Sequence, residues 1–244
     1  MDAALYVEGE AAIELFRICS TFWGDSPLDR LSPPRDLNDF LESLSKAEYC
    51  SVRILRNDWL KRKTDIWKTY FQLFNCASES ITIMCSYFLP GRRLRKALVN
   101  ATARGVKVKV ILAGMSDIIL AKWAERYLYE WMFKTGIEVY EYQPTVLHAK
   151  VAVVDNHWVT IGSFNVNNIS TYASIELNAQ VRNKAFAKKV AQQLETIISN
   201  DCVRVTAEKF KLNLSFLKRL VQKFSYRLID FVLGLFTFYF KQEE

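Results

Sequence analysis

Between Ser51 and Arg182, short runs of apolar and β-branched residues alternate with longer stretches of helical periodicity, and this alternation constrains the fold most. "SVRIL", "SITIMCSYFL", "VKVKVILAG" and "IEVYEY" carry the strand signature, the second of them closed by Pro90-Gly91. "TDIWKTYFQLFNCAS", with Thr64 or Asp65 as its cap, "RRLRKALVNATARG" and "DIILAKWAERYLYEWMFKTG" predict helices, the last two ending at Gly105 and Gly136. "HAKVAVVD" and "HWVTIGSFN" predict a hairpin turning at Asp155-Asn156. "ASIELNAQVR" adds a strand and "KAFAKKVAQQLETIISN" a packing helix. Strands separated by helices at this spacing call for an α/β fold, a mixed β-sheet flanked by helices on both faces. Residues 49–206 form that unit, and no repeat is visible within the residues present.

A chain of 244 residues that is 50% hydrophobic can bury a full core. The formal net charge of +7 favours an anionic partner without choosing among nucleic acid, phospholipid headgroups and phosphorylated substrates. The five cysteines are dispersed and only two histidines are present, which predicts neither a disulfide framework nor a metal site. "MDAALYVEGEAAIELF" places acids where a secretory signal needs cations, so no signal sequence is expected. No apolar run reaches the roughly 20 residues that span a bilayer.

The chemistry concentrates in "LHAKVAVVDNHWVTIGSFN", spaced His148-x-Lys150-x4-Asp155-x6-Gly162-Ser163-x-Asn165. Residues two apart on a strand project to one face, so His148 and Lys150 point together, and Asn165 leaves the paired strand at the same end. An imidazole, an ammonium, a hydroxyl and an amide can thus converge on one phosphate. Glycine at position 162 suits a close backbone approach to the ligand. His157 is assigned to the turn, as structure without chemistry.

This pattern resembles the H-K-D motif of the phospholipase D superfamily at every defining position. The flanks "YFLPGRRLRKALVNATARGVKVKVILAG", "SD" and "GIEVYEY" before "LHAK" resemble the second lobe of bacterial cardiolipin synthases, over about Ser51 to Thr206. The resemblance implies one complete phospholipase D-like lobe, with a helical tail beyond it. It implies catalytic roles for His148, Lys150, Asp155 and Glu176, and phosphate binding by Lys150, Ser163 and Asn165. His148 would attack phosphorus to give a phosphohistidine, which an alcohol or water resolves. Glu176, in "SIELN", would accept the histidine's Nδ1 proton and free Nε2. Asp155 would brace the hairpin rather than touch substrate. Neither cofactor nor metal is implied.

A single motif poses a problem, because the expelled alkoxide needs a proton from a group opposite the nucleophile. Family enzymes use two motifs in one chain or one from each of two chains. Residues 1–24, with "LYVEGEAAIELFRICSTFWG", resemble the segment that closes the first lobe of two-lobed cardiolipin synthases, although the ending Phe22-Trp23 departs from that family's F-x-x-W. Residues 25–48, rich in proline, read as a linker. The expected architecture is therefore the C-terminal portion of a two-motif enzyme; the alternative is a one-motif protein completed by a second copy.

From 207 to 244 the character changes. Residues 209–227 hold six lysines or arginines and no acid, and Leu217, Leu220, Val221, Phe224 and Leu228 share one helical face, followed by "FVLGLFTFYF". This predicts an interfacial anchor at an anionic membrane surface, on the cytoplasmic face of the cell membrane; a helix packing on another lobe is the alternative. The expected activity is phosphatidyl transfer, cardiolipin synthase-like, with a phospholipid such as phosphatidylglycerol as donor. A nuclease of the same superfamily, and an inactive module that binds anionic lipid, stay open, with nucleic acid ranked below lipid as a partner.

Overall fold

The computed structural model describes residues 1–23, 50–212 and 214–237. Among the described residues nine strands form one mixed sheet: β1 (Ser51–Asp58), β2 (Lys63–Thr64), β3 (Ser80–Cys85), β4 (Lys107–Ala113), β5 (Glu138–Tyr142), β6 (Val151–Val154), β7 (Trp158–Gly162), β8 (Ile175–Arg182) and β9 (Cys202–Val205). Their spatial order is β2-β1-β8-β7-β6-β3-β4-β5-β9. Only β3-β4 and β4-β5 pair in parallel, and each of these crossovers carries helix between its strands.

The described helices are α1 (Glu10–Trp23), α2 (Asp65–Cys76), α3 (Arg92–Ala103), α4 (Ile119–Tyr127), α5 (Tyr129–Lys134), α6 (Asn168–Tyr172), α7 (Lys184–Asp201), α8 (Ala207–Leu212) and α9 (Phe216–Thr237). Side chains two apart along the strands divide the core between the two sheet faces. Ile81, Ile83, Val108, Val110, Leu112, Ala152 and Val154 meet Tyr70, Phe74, Leu94 and Leu98 from α2 and α3. Met84, Ile111, Val151, Val153, Val159 and Val181 meet Ala187 and Leu194 from α7. Each fully buried Phe or Leu contributes roughly 1.5–3 kcal/mol of transfer free energy.

Three expectations about local structure change. Thr64 makes no side-chain cap to α2; buried Asn57 does, its Oδ1 accepting from the Ile66 N–H at 3.0 Å. The helix expected through Gly136 tightens at Leu128, whose N–H turns back to the Glu125 carbonyl at 2.9 Å, and so divides into α4 and α5. The basic segment is likewise two helices, α8 and α9, and α9 runs on to Thr237, into the residues read as an apolar end. The Pro-rich stretch read as a linker, 25–48, lies outside the described residues.

α9 packs with an unusual polarity. Among its described side chains Gln222 and Ser225 are the buried ones, and Tyr226 lies against Tyr127 of α4 with ring centroids 4.9 Å apart. Phe216, Leu217, Leu220, Val221, Phe224, Leu228 and Phe231 are exposed. No described helix is long and apolar enough to cross a membrane.

One end of the sheet gathers the motif. The C-terminal ends of β3, β4, β7 and β1 meet there with the N-terminal ends of β6 and β8, as the registers Met84↔Val151, Gly162↔Asn178 and Asp58↔Ile175 require.

Candidate active site

His148 and Lys150 precede β6, in the turn-free segment that leads into it. Two backbone bonds hold this segment, from the His148 and Ala149 N–H groups to the Met1 carbonyl at 2.8 and 3.1 Å. The His148 side chain is 64% exposed, open to an incoming ligand, whereas Lys150 is buried. The Lys150 ammonium donates to the His148 carbonyl at 2.5 Å. Burial holds its pKa below the ordinary lysine value, against the opposing pull of Cys85, Asp2, Glu176 and Asp117.

Asn165 follows β7. Its Oδ1 accepts from the Tyr87 N–H at 3.3 Å, which leaves the donor end of the amide for a ligand oxygen. Behind it, Cys85 accepts from the Val166 N–H at 3.4 Å, and burial pushes its thiol up to about 12, so it stays neutral. His148, Lys150, Ser163 and Asn165 form the polar end of a cavity of about 430 Å³. Ala3, Leu5, Leu15, Ile161, Leu177 and Ala179 supply its apolar walls.

The His148 Nδ1 partner is Asp2, at 2.8 Å from Oδ1, and not Glu176. Glu176 instead accepts from the hydroxyls of Ser163 and of Ser174, the latter at 2.8 Å. The His148 hydrogen bond, opposed by slight desolvation, keeps the Asp2 carboxyl below its ordinary value and therefore ionised. Ser163 is correspondingly committed, to Glu176 and to the β8 backbone through the Leu177 N–H at 3.0 Å. Its hydroxyl is engaged there rather than free for phosphate.

The geometry also places Gly162 and Asp155. A Cβ on Gly162 would stand 2.2 Å from the Leu177 carbonyl, so the close approach that needs glycine is to β8 and not to a ligand. Asp155, grouped by resemblance with the catalytic residues, lies at the far end of β6 from His148. It accepts from the N–H groups of Ser78, Glu79 and Ser80 and from the Ser78 hydroxyl, at 2.8–3.1 Å. Burial alone would raise its pKa, but these bonds prevail and hold it below the ordinary carboxylate value. Asp155 and Asn156 turn the hairpin with φ of 51° and 47°. His157 shares this end, accepting from Arg182 Nε at 3.1 Å.

Sequence reasoning missed Asp2, although a signal was present. Asp2 stands seven residues before Gly9 and the start of α1, as Glu176 stands seven before Asn183 and the start of α7. Leu5 and Val7 match Ala179 and Val181 in that frame, so the two segments repeat one pattern. It also missed Tyr87 and Asp117, hydrogen-bonded to each other on the loops after β3 and β4 beside Asn165.

Comparison with known proteins decides the family. Residues 70–198, more than half of the chain, match the family described as cardiolipin synthase, PLD-like domain. The chain belongs to that family. It is 37% identical over 145 residues to cardiolipin synthase B of Salmonella typhi, covering 59% of this chain and 35% of that protein. The chain thus spans about a third of the length of this curated relative. Among solved structures it resembles Nuc, a phospholipase D family member from Salmonella typhimurium (TM-score 0.55, 22% identity), over 65% of this chain and 100% of that one. It also resembles phosphatidylserine synthase of Haemophilus influenzae (TM-score 0.58, 14% identity), over 86% of this chain and 56% of that one. The mixed sheet with helices on both faces is therefore a phospholipase D-like fold.

Proposed function

We propose that this chain carries one half-site of a phosphatidyl-transfer enzyme, cardiolipin synthase-like, that works through a phosphohistidine. The observation that carries the reading is the Asp2–His148 pair. With Nδ1–H directed at an ionised carboxylate, the imidazole presents Nε2 with its lone pair, beside the buried Lys150 ammonium and the Asn165 amide. Nε2 attacks the phosphorus of a phosphatidylglycerol-like donor, and a P–N bond replaces the P–O bond to the glycerol oxygen. Lys150 and Asn165 hold the non-bridging oxygens as charge develops on them. The departing glycerol oxygen takes a proton from an acid opposite His148, and that group then removes the proton of the acceptor alcohol, whose oxygen displaces Nε2.

The acid is the histidine of a second H-K-D lobe, in the same polypeptide or in a second copy of the chain. His157 cannot serve, since it sits at the other end of the hairpin with Arg182. The match of residues 70–198 and the similarity to cardiolipin synthase B favour a phospholipid donor. Association is peripheral, at the cytoplasmic face of an anionic membrane. The exposed apolar stripe of α9, beside exposed Lys223 and Arg227, supports it.

The test is to incubate the protein with head-group-labelled and phosphorus-labelled phosphatidylglycerol, quench in base, and map the label. A base-stable, acid-labile adduct on His148 and a cardiolipin spot on thin-layer chromatography are expected. Label on another side chain, or transfer undiminished in His148→Ala, refutes the assignment.

A further inference from the structure

We propose that the cavity between the N-terminus of α3 and the inner side of α9 is a second anion site, one that takes a phosphate group. It holds about 580 Å³, within the range of roughly 300–1,000 Å³ typical of small-molecule sites. Among the described residues, Arg92, Arg93 and Arg95 of α3 line it together with Asp230 of α9, three cations to one acid. It shares no lining residue with the cavity at His148.

Several features make this more than a solvated basic face. Arg92 and Arg93 occupy the first turn of a 12-residue helix whose N-cap, Gly91, provides no side-chain hydrogen bond, so the backbone there favours an anion as the guanidinium groups do. Guanidinium forks suit the several oxygens of a phosphate better than a single carboxylate. Gly91 lets the turn close against α6, since a Cβ there would meet Asn168 Oδ1 at 2.6 Å. The opposite wall is Tyr226 and Ile229. Burial raises the Tyr226 hydroxyl's pKa while nearby Arg95 opposes the rise, which brings Arg95 and α9 to the same space. Arg95 is itself steadied over the Trp131 ring, 6.0 Å from its centroid.

Two sources can supply the phosphate, the headgroup of an anionic phospholipid or a soluble phosphate ester such as glycerol 3-phosphate. α9 roofs the cavity with one side and exposes its apolar stripe on another, which places the site at the level of a bilayer's headgroups. Leu89, on the cavity wall, donates its N–H to the Val166 carbonyl at 2.9 Å, so the wall is continuous with the loop that begins at Asn165.

The experiment uses the His148→Ala protein, so that phosphatidylglycerol is not consumed. Into it are placed either Arg92→Ser with Arg93→Ser, or Lys188→Ser with Lys189→Ser, an equal charge change on exposed positions of α7. Binding is measured to phosphatidylglycerol vesicles, to phosphatidylcholine vesicles and to glycerol 3-phosphate in solution. The arginine pair should lose at least about fivefold in affinity for the anionic probe, and the lysine pair less than about twofold. Loss confined to vesicles identifies a lipid headgroup, and loss with glycerol 3-phosphate a soluble ester. Equal losses in both pairs, or none in the arginine pair, overturn the site. If melting shows the serine pair unfolded, Arg92→Gln with Arg93→Gln takes its place under the same criteria. Transfer activity surviving in His148→Ala would sink the covalent mechanism and leave this inference standing.

Discussion

The two ends of the β6–β7 hairpin carry the same kinds of residue, a histidine and a carboxylate each, and put them to opposite uses. At the turn, Asp155 accepts four hydrogen bonds from Ser78–Ser80, and His157 accepts from Arg182. At the other end, His148 has one partner, Asp2, and is 64% exposed. The first arrangement saturates the Asp155 carboxylate from neighbouring elements and fixes the register of β6 against β3, while the buried His157 Nδ1 has no partner among the described residues. The second keeps a nucleophile oriented by a single bond and accessible. The same chemistry is structural where the carboxylate is saturated by backbone donors and reactive where the histidine stands open to a ligand.

Substitutions at each end can break this contrast. The largest effect belongs to His148→Ala, expected to lower phosphatidyl transfer by at least about 10⁴-fold with the melting temperature unchanged, read by product assay and calorimetry. Asp2→Asn keeps the contact but removes the charge that stabilises the imidazolium; a fall of about 10²-fold in kcat with little change in KM is expected. At the saturated end, Asp155→Asn should cost about 2 kcal/mol of stability, or some 4–8 °C in melting temperature, while activity per folded molecule stays within about twofold. Because the folded Asp155 pKa is depressed, its contribution is present above the unfolded value near 4 and is lost as pH falls through the folded value. Wild type and Asp155→Asn should therefore converge in stability under strongly acid conditions, as denaturation curves taken across pH would reveal. If Asp155→Asn instead abolished transfer in a folded protein, the division between the two ends would fail. The smallest change in stability, about 0.5 kcal/mol or less, is expected from Phe224→Ser with Leu228→Ser on the exposed face of α9. That pair should still release the protein from phosphatidylglycerol vesicles in a sedimentation assay.

Much of this was legible in the sequence because it is local. Period-two patterning in "VKVKVILAG" and "HAKVAVVD" specifies strands, and Asp155-Asn156 specifies a turn with positive φ. The spacing of His148, Lys150 and Asn165 marks one sheet end because strands keep their faces in register. What escaped was contact between distant parts of the chain. Asn57 caps a helix across nine residues, and Asp2 meets His148 across 146. No periodicity encodes either. Glu176 was given the histidine because a carboxylate belongs there; geometry gives it the two serines beside it. Tyr87 and Asp117 lie on loops, where pattern carries least information.

The inverted packing of α9 has a practical consequence. A helix that seats Gln222 and Ser225 inward and turns Phe216, Leu217, Phe224 and Phe231 to water presents a continuous oily strip. In plain buffer such a strip drives concentration-dependent self-association, and mild detergent or bicelles should return the sample to a single species on a sizing column. The assembly state measured for this protein will thus depend on what the solvent offers that strip.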